Sequence, residues 1–174
     1  GYTTDEIIAL FVSLGIGSPE GFADVIENGG SFGYDFISDI PEDTGRTYRL
    51  DGYLFPDTYF VYADSSETEV ITKLLANFGK KFDERLRADA AAGGYSVDEI
   101  VRLASVIESE AYFGSDMPGI ASVFRNRLAN SRYSFLESDA TVKYAKELLQ
   151  DLAAKYSVTV SGCIPMDYHM KYQT

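Results

Sequence analysis

The chain has 174 residues, enough to bury one core and about the size of a single ordinary domain or a domain with a small satellite. Its 45% hydrophobic and 24% charged content is that of a globular protein, not a disordered one. A formal net charge of −12, from 27 acidic against 15 basic side chains, repels phosphate backbones and argues against nucleic-acid binding. The one cysteine, Cys163, excludes an internal disulfide.

Thr3 and Glu6 read as a capping box that opens a short helix, with Ile7, Ile8, Leu10, Phe11 and Leu14 apolar and Gly15 at its end. Ser18-Pro19 opens a second helix carrying Phe22, Val25 and Ile26, which Gly29-Gly30 closes. Residues 31–45, with their glycines, aspartates and Pro41, mark the expected boundary between domains. Residues 48–55 and 58–62 are rich in aromatic and β-branched residues around a Pro56-Asp57 turn, which predicts a small antiparallel sheet. Tyr53 and Tyr59 are candidates for stacking on a sugar ring, although core packing is the commoner use of such rings. Ser66 and Glu69 then cap a long amphipathic helix with Val70, Ile71, Leu74, Leu75, Phe78 and Phe82 on its stripe.

Residues 96–128 carry the chemistry. Ser96 and Glu99 form a third capping box, and a stripe through Ile100, Leu103, Ala104, Ile107 and Ala111 puts Glu108 at its edge. A carboxyl group half out of water there is expected to hold its proton more tightly than usual, as a general acid requires. Glu110, two residues on, points roughly to the other side. Asp116 and Pro118 are expected to open the next helix, with Ile120, Ala121, Phe124 and Leu128 apolar and Arg127 on the edge of that face. Arg127 and Asn126 could orient a carboxylate or polar ligand; the alternative is an arginine stem lying on the surface with its head in water.

Ser138 or Asp139 is expected to cap a last helix with Val142, Ala145, Leu149 and Leu152 inward, and capping alone explains Asp139 and Thr141. Residues 156–160 could form a strand. His169 has Asp167 nearby but no second histidine or cysteine at ligand spacing, which argues against a metal site.

The blocks GYLFPDTY (52–59), LASVIESEA (103–111), IASVFRNRL (120–128) and ESDATVKYA (137–145), in this order, resemble the YceG-like family of endolytic murein transglycosylases. The resemblance implies an α+β fold: a mainly helical catalytic domain with a small antiparallel sheet over 47–174, and a partial LysM-like subdomain over 1–46. It implies a lytic transglycosylase that cuts the MurNAc–GlcNAc β-1,4 bond within glycan strands and leaves 1,6-anhydroMurNAc ends. The first glutamate of the block carries over as the catalytic acid, Glu108. Glu110, Asn126, Arg127, Asp139 and Thr141 carry over as substrate contacts, and under this reading Tyr53 or Tyr59 stacks on the sugar.

Such chemistry needs one carboxyl group, whereas ordinary glycoside hydrolysis uses two at a defined separation. No cofactor and no metal is implied. The implied partners are peptidoglycan glycan strands and peptidoglycan synthases, with the domain on the extracytoplasmic side of the bacterial cell membrane behind an N-terminal span. This chain departs from the family in having Asp51 for Glu and Ala140 for Pro. The family's span and its C-terminal glycine- and proline-rich segment have no counterpart here, so the chain is expected to be a fragment. A noncatalytic peptidoglycan-binding module is the alternative reading.

Overall fold

The computed structural model describes residues 2–28, 32–42 and 46–130, together with Arg132, Ser138, Asp139 and Thr141. The chain divides into two compact units, Gly1–Arg102 and Leu103–Thr174. Among the described residues it is helical: α1 (Thr4–Ser13), α2 (Pro19–Asn28), α3 (Asp35–Ser38), α4 (Glu67–Lys81), α5 (Glu84–Ala92), α6 (Val97–Glu110) and α7 (Met117–Leu128).

Local signals start most of the helices of unit 1. The Thr3–Glu6 box is formed on both sides, Thr3 N donating to Glu6 Oε2 at 2.8 Å and Glu6 N to Thr3 Oγ1 at 3.2 Å. The Ser66–Glu69 box at the head of α4 repeats it, at 2.8 and 3.3 Å. α4 buries Val70, Ile71, Leu74, Leu75 and Phe78, the spacing of one helical face. It ends at Lys81, and Asp83 accepts from Leu86 N at 2.9 Å and caps a separate helix, α5. Helix α2 is seated on α4 by Glu67, which accepts from Ser18 N at 3.0 Å, and Gly21 leaves that carboxyl room, since a Cβ there would collide with it.

No strand occurs among the described residues, which overturns the α+β expectation with its antiparallel sheet and the sheet of a LysM-like subdomain. The aromatic-rich stretch 48–62 forms turns around Gly52 at φ 89° and runs without regular structure from Phe55 on, with Asp51 N donating to Tyr48 O at 3.1 Å and Tyr53 N to Leu50 O at 3.0 Å. Its side chains do not alternate across a sheet. Leu50, Tyr53 and Leu54 all enter one core, at an i, i+3, i+4 spacing. That core also takes Phe11, Phe22, Ile26, Phe36, Ile37 and Ile40, so residues on both sides of the boundary expected at 46 share one interior. Phe36 packs at 5.9 Å on Tyr53 and 4.9 Å on Phe78, and Arg87 lies 5.3 Å over the Phe36 ring.

At the head of α6, Asp98 is completely buried. Its Oδ1 accepts from Arg46 Nη2 at 2.5 Å and from the Tyr53 hydroxyl at 2.9 Å, and its Oδ2 faces Arg102 Nε at 2.9 Å. A carboxylate taken so far out of water is stable only with such partners.

In unit 2, Val106 of α6 and Phe124 of α7 form a small buried cluster, with Leu103, Ile107 and Ile120 packed against it.

Candidate functional site

The Ser96–Glu99 box starts α6 as expected, with Ser96 N donating to Glu99 Oε2 at 2.7 Å and Glu99 N to Ser96 Oγ at 3.1 Å. The stripe runs differently from the one the sequence suggests. In the last turns the inward residues are Leu103, Val106 and Ile107, and Ala104 is exposed. Continuing that spacing reaches position 110, seven residues after Leu103. Glu110 is accordingly half-buried, whereas Glu108 is exposed. The burial expected of Glu108 is therefore found at Glu110.

Helix α7 presents Ile120, Val123, Phe124 and Arg127 on one face. Together with Glu110 they line a cleft of about 270 Å³. Such a volume lies just below that of ligand pockets, which span roughly 300–1,000 Å³. The buried Ser138 donates its hydroxyl to Glu110 Oε1, and Thr141 Oγ1 donates to Ser138 O at 2.7 Å. Helix α7 is entered through a 3-10 turn, Gly114–Asp116. Asp116 does not cap it as expected: its backbone is already helical, and its carboxyl accepts from Ser115 Oγ at 3.2 Å.

A carboxyl group, a guanidinium and an apolar wall in one cleft suit a ligand with polar groups on a compact ring. The carboxyl can give and take a proton, and the arginine can fix an oxygen.

The other residues singled out from sequence fall as follows. Arg127 is half-buried in the cleft wall, and Asn126 and Asp139 are exposed. Thr141, half-buried, is tied to the Ser138 carbonyl. Tyr53 has no open ring face: it is wholly buried in unit 1, so its role as a sugar contact is replaced by core packing. Burial, with the Asp98 charge adding to it, pushes its hydroxyl well above the ordinary tyrosine value and keeps it a donor. Tyr59, half-buried, donates to Phe55 O at 2.5 Å and accepts from Asn77 Nδ2 at 3.0 Å, so its hydroxyl ties down the loop. Asp51, where the resemblance expects Glu, accepts from Thr4 Oγ1, and burial raises its carboxyl above the usual range.

Sequence reasoning missed two things. Nothing local links Ser138 to Glu110, 28 residues apart. The Asp98 cluster was half legible, because Asp98 and Arg102 are four apart on a helix, but Arg46 and Tyr53 reach it only through the fold. Among the described residues no group of three or more His, Cys, Asp or Glu could hold a metal ion, and no helix is long and apolar enough to cross a membrane. Cys163, His169 and the strand expected at 156–160 lie outside the described residues.

Comparison with known proteins gives a consistent result. The model of the YceG-like family matches residues 1–169. A Streptococcus pneumoniae (serotype 2, strain D39) protein named endolytic murein transglycosylase is 31% identical over 130 residues, covering 74% of this chain and 23% of that protein. A Bacillus subtilis (strain 168) protein of the same name is 36% identical over 98 residues, covering 56% of this chain and 27% of that protein. The crystal structure of a yceG-like protein from Listeria monocytogenes superposes with a TM-score of 0.66 at 29% identity, over 83% of this chain and 49% of that one. The chain thus spans about a quarter of the length of these curated relatives.

Proposed function

Because this chain belongs to the YceG-like family, we propose that it carries the reaction centre of a peptidoglycan lytic transglycosylase. The enzyme cuts the MurNAc–GlcNAc β-1,4 bond inside glycan strands, leaves 1,6-anhydroMurNAc ends, and so trims or terminates nascent strands. The observation that supports this reading is the cleft in which Glu110, half-buried and bonded by the Ser138 hydroxyl, shares a wall with Arg127.

The proton-transfer group in this reading is Glu110. The resemblance carries that role to Glu108, but Glu108 is exposed and does not line the cleft among the described residues. Protonated Glu110 gives its proton to the glycosidic oxygen as the bond to the muramyl anomeric carbon breaks, and the freed GlcNAc leaves as an alcohol. The carboxylate then takes the proton of the muramyl C6 hydroxyl while that oxygen bonds to the same anomeric carbon, closing the anhydro ring. Glu110 ends protonated, so one carboxyl group serves both steps and no water is consumed. Arg127 orients the sugar's oxygens, and Ser138, held by Thr141, fixes the Glu110 rotamer. Asn126 and Asp139, both exposed, contact the strand outside the cleft.

A murein substrate puts the chain on the extracytoplasmic side. Peptidoglycan synthases as partners and a membrane span outside this chain rest on the resemblance alone.

Incubating the protein with purified sacculi and analysing the muropeptides by mass spectrometry tests the reaction. Anhydro ends that accumulate with time support it. Binding to sacculi with no new ends of any kind overturns it in favour of the noncatalytic binding module.

A further inference from the structure

Tyr112 and Phe113, directly after α6, are the most exposed aromatic pair of unit 2 among the described residues, at 87% and 61%. Their rings meet edge to face, centroids 4.7 Å apart and planes at 85°, an arrangement that fixes each ring while leaving a face of Tyr112 in water. Nothing in the small cluster of Val106 and Phe124 requires them, and two adjacent rings in water beside a cleft form an apolar contact surface. They stand two and three residues from Glu110, which limits the Cα separations to about 7 and 10 Å.

We propose that Tyr112 and Phe113 form a stacking platform for a pyranose ring of the glycan strand, beside the ring held in the cleft. This rests on the reading that the chain acts on glycan strands. A β-linked pyranose with equatorial substituents shows an apolar face of C–H groups, and that face lies flat on an aromatic ring without any charge being required. Charge also selects the occupant. From 108 to 116 the three charged side chains, Glu108, Glu110 and Asp116, are all acidic, which opposes an anionic lipid surface. The rings contact substrate and take no part in proton transfer.

The chain contains no tryptophan, so Tyr112→Trp keeps a stacking ring and creates a unique tryptophan at the site, excited selectively over the tyrosines at the red edge. Titration of this variant with the β-1,4 tetramer of N-acetylglucosamine should give a saturable blue shift of the emission. The Tyr112→Ala/Phe113→Ala double variant should raise KM on glycan strands by about tenfold, the scale of one stacked ring, with a smaller change in kcat. Both side chains are largely in water, so far-UV circular dichroism should be parental. An emission unchanged by saturating tetramer, together with a parental KM, would overturn the proposal. So would a shift produced by anionic phospholipid vesicles, or by raising protein concentration alone, and not by the sugar. A tetramer-induced shift in a protein that makes no anhydro ends would uphold the platform and defeat the catalytic reading, so the two failures are distinguishable.

Discussion

In Gly1–Arg102 the aromatic side chains Phe22, Phe36 and Tyr53 are at most 1% exposed while Phe60 and Tyr62 stand in water, and in the described part of Leu103–Thr174 Phe124 is buried while Tyr112 and Phe113 stand in water. The two units differ more sharply in their acids, both of which lie on α6. Asp98 near its start is sealed among two arginines and a tyrosine hydroxyl, while Glu110 at its end is half-buried on an open cleft. A carboxylate sealed from solvent and held between cations cannot exchange a proton with a ligand. One that faces a cleft can. Burial by itself therefore does not mark an acid able to exchange a proton; burial on one side with access on the other does.

The comparison can be broken at Asp98. Asp98→Ala leaves the largely buried Arg46, the partly exposed Arg102 and the buried Tyr53 hydroxyl without their acceptor, and should cost about 3 kcal/mol in urea unfolding. A near-parental midpoint would show that the cluster is not what holds unit 1. Phe36→Ala, in the same interior, should cost about 3–5 kcal/mol, but Phe124→Ala only about 2 kcal/mol, since its cluster is small enough to collapse around the loss. Equal costs would erase the contrast between the two units.

The smallest effect is electrostatic. Glu67 is held below its ordinary value of 4.5 by backbone hydrogen bonds, its own N–H first and that of Ser18 next. A lowered carboxyl adds stability that is complete above its unfolded value and is lost as pH falls through the folded one. Glu67→Ala should therefore cost about 1 kcal/mol at pH 7 and progressively less in acid. A pH-independent cost would mean that the carboxylate charge plays no part in joining α2 to α4.

These contrasts explain what could be read from the sequence. The three capping boxes were legible because each is complete within four residues, and all three form. Residues 48–62 misled because aromatic and β-branched residues suit any half-buried surface, and periodicity over so short a stretch does not separate a strand from turns whose side chains anchor a core. The displaced glutamate has a further cause. Helix α6 buries Val97, Asp98 and Val101 in its first turns and Leu103, Val106 and Ile107 in its last, and the two sets are out of phase. A single stripe drawn through the whole helix fits neither half, and it put Glu108 rather than Glu110 at the half-buried edge.

The most direct test of that assignment is the initial rate at which anhydro ends form from sacculi with Glu110→Gln and Glu108→Gln beside the parent. Removal of a general acid costs about 10²–10⁴ in rate, so Glu110→Gln should fall by that factor with its fold intact, while Glu108→Gln stays within a few-fold of the parent. A Glu108→Gln variant that loses the reaction while Glu110→Gln keeps it would contradict the account.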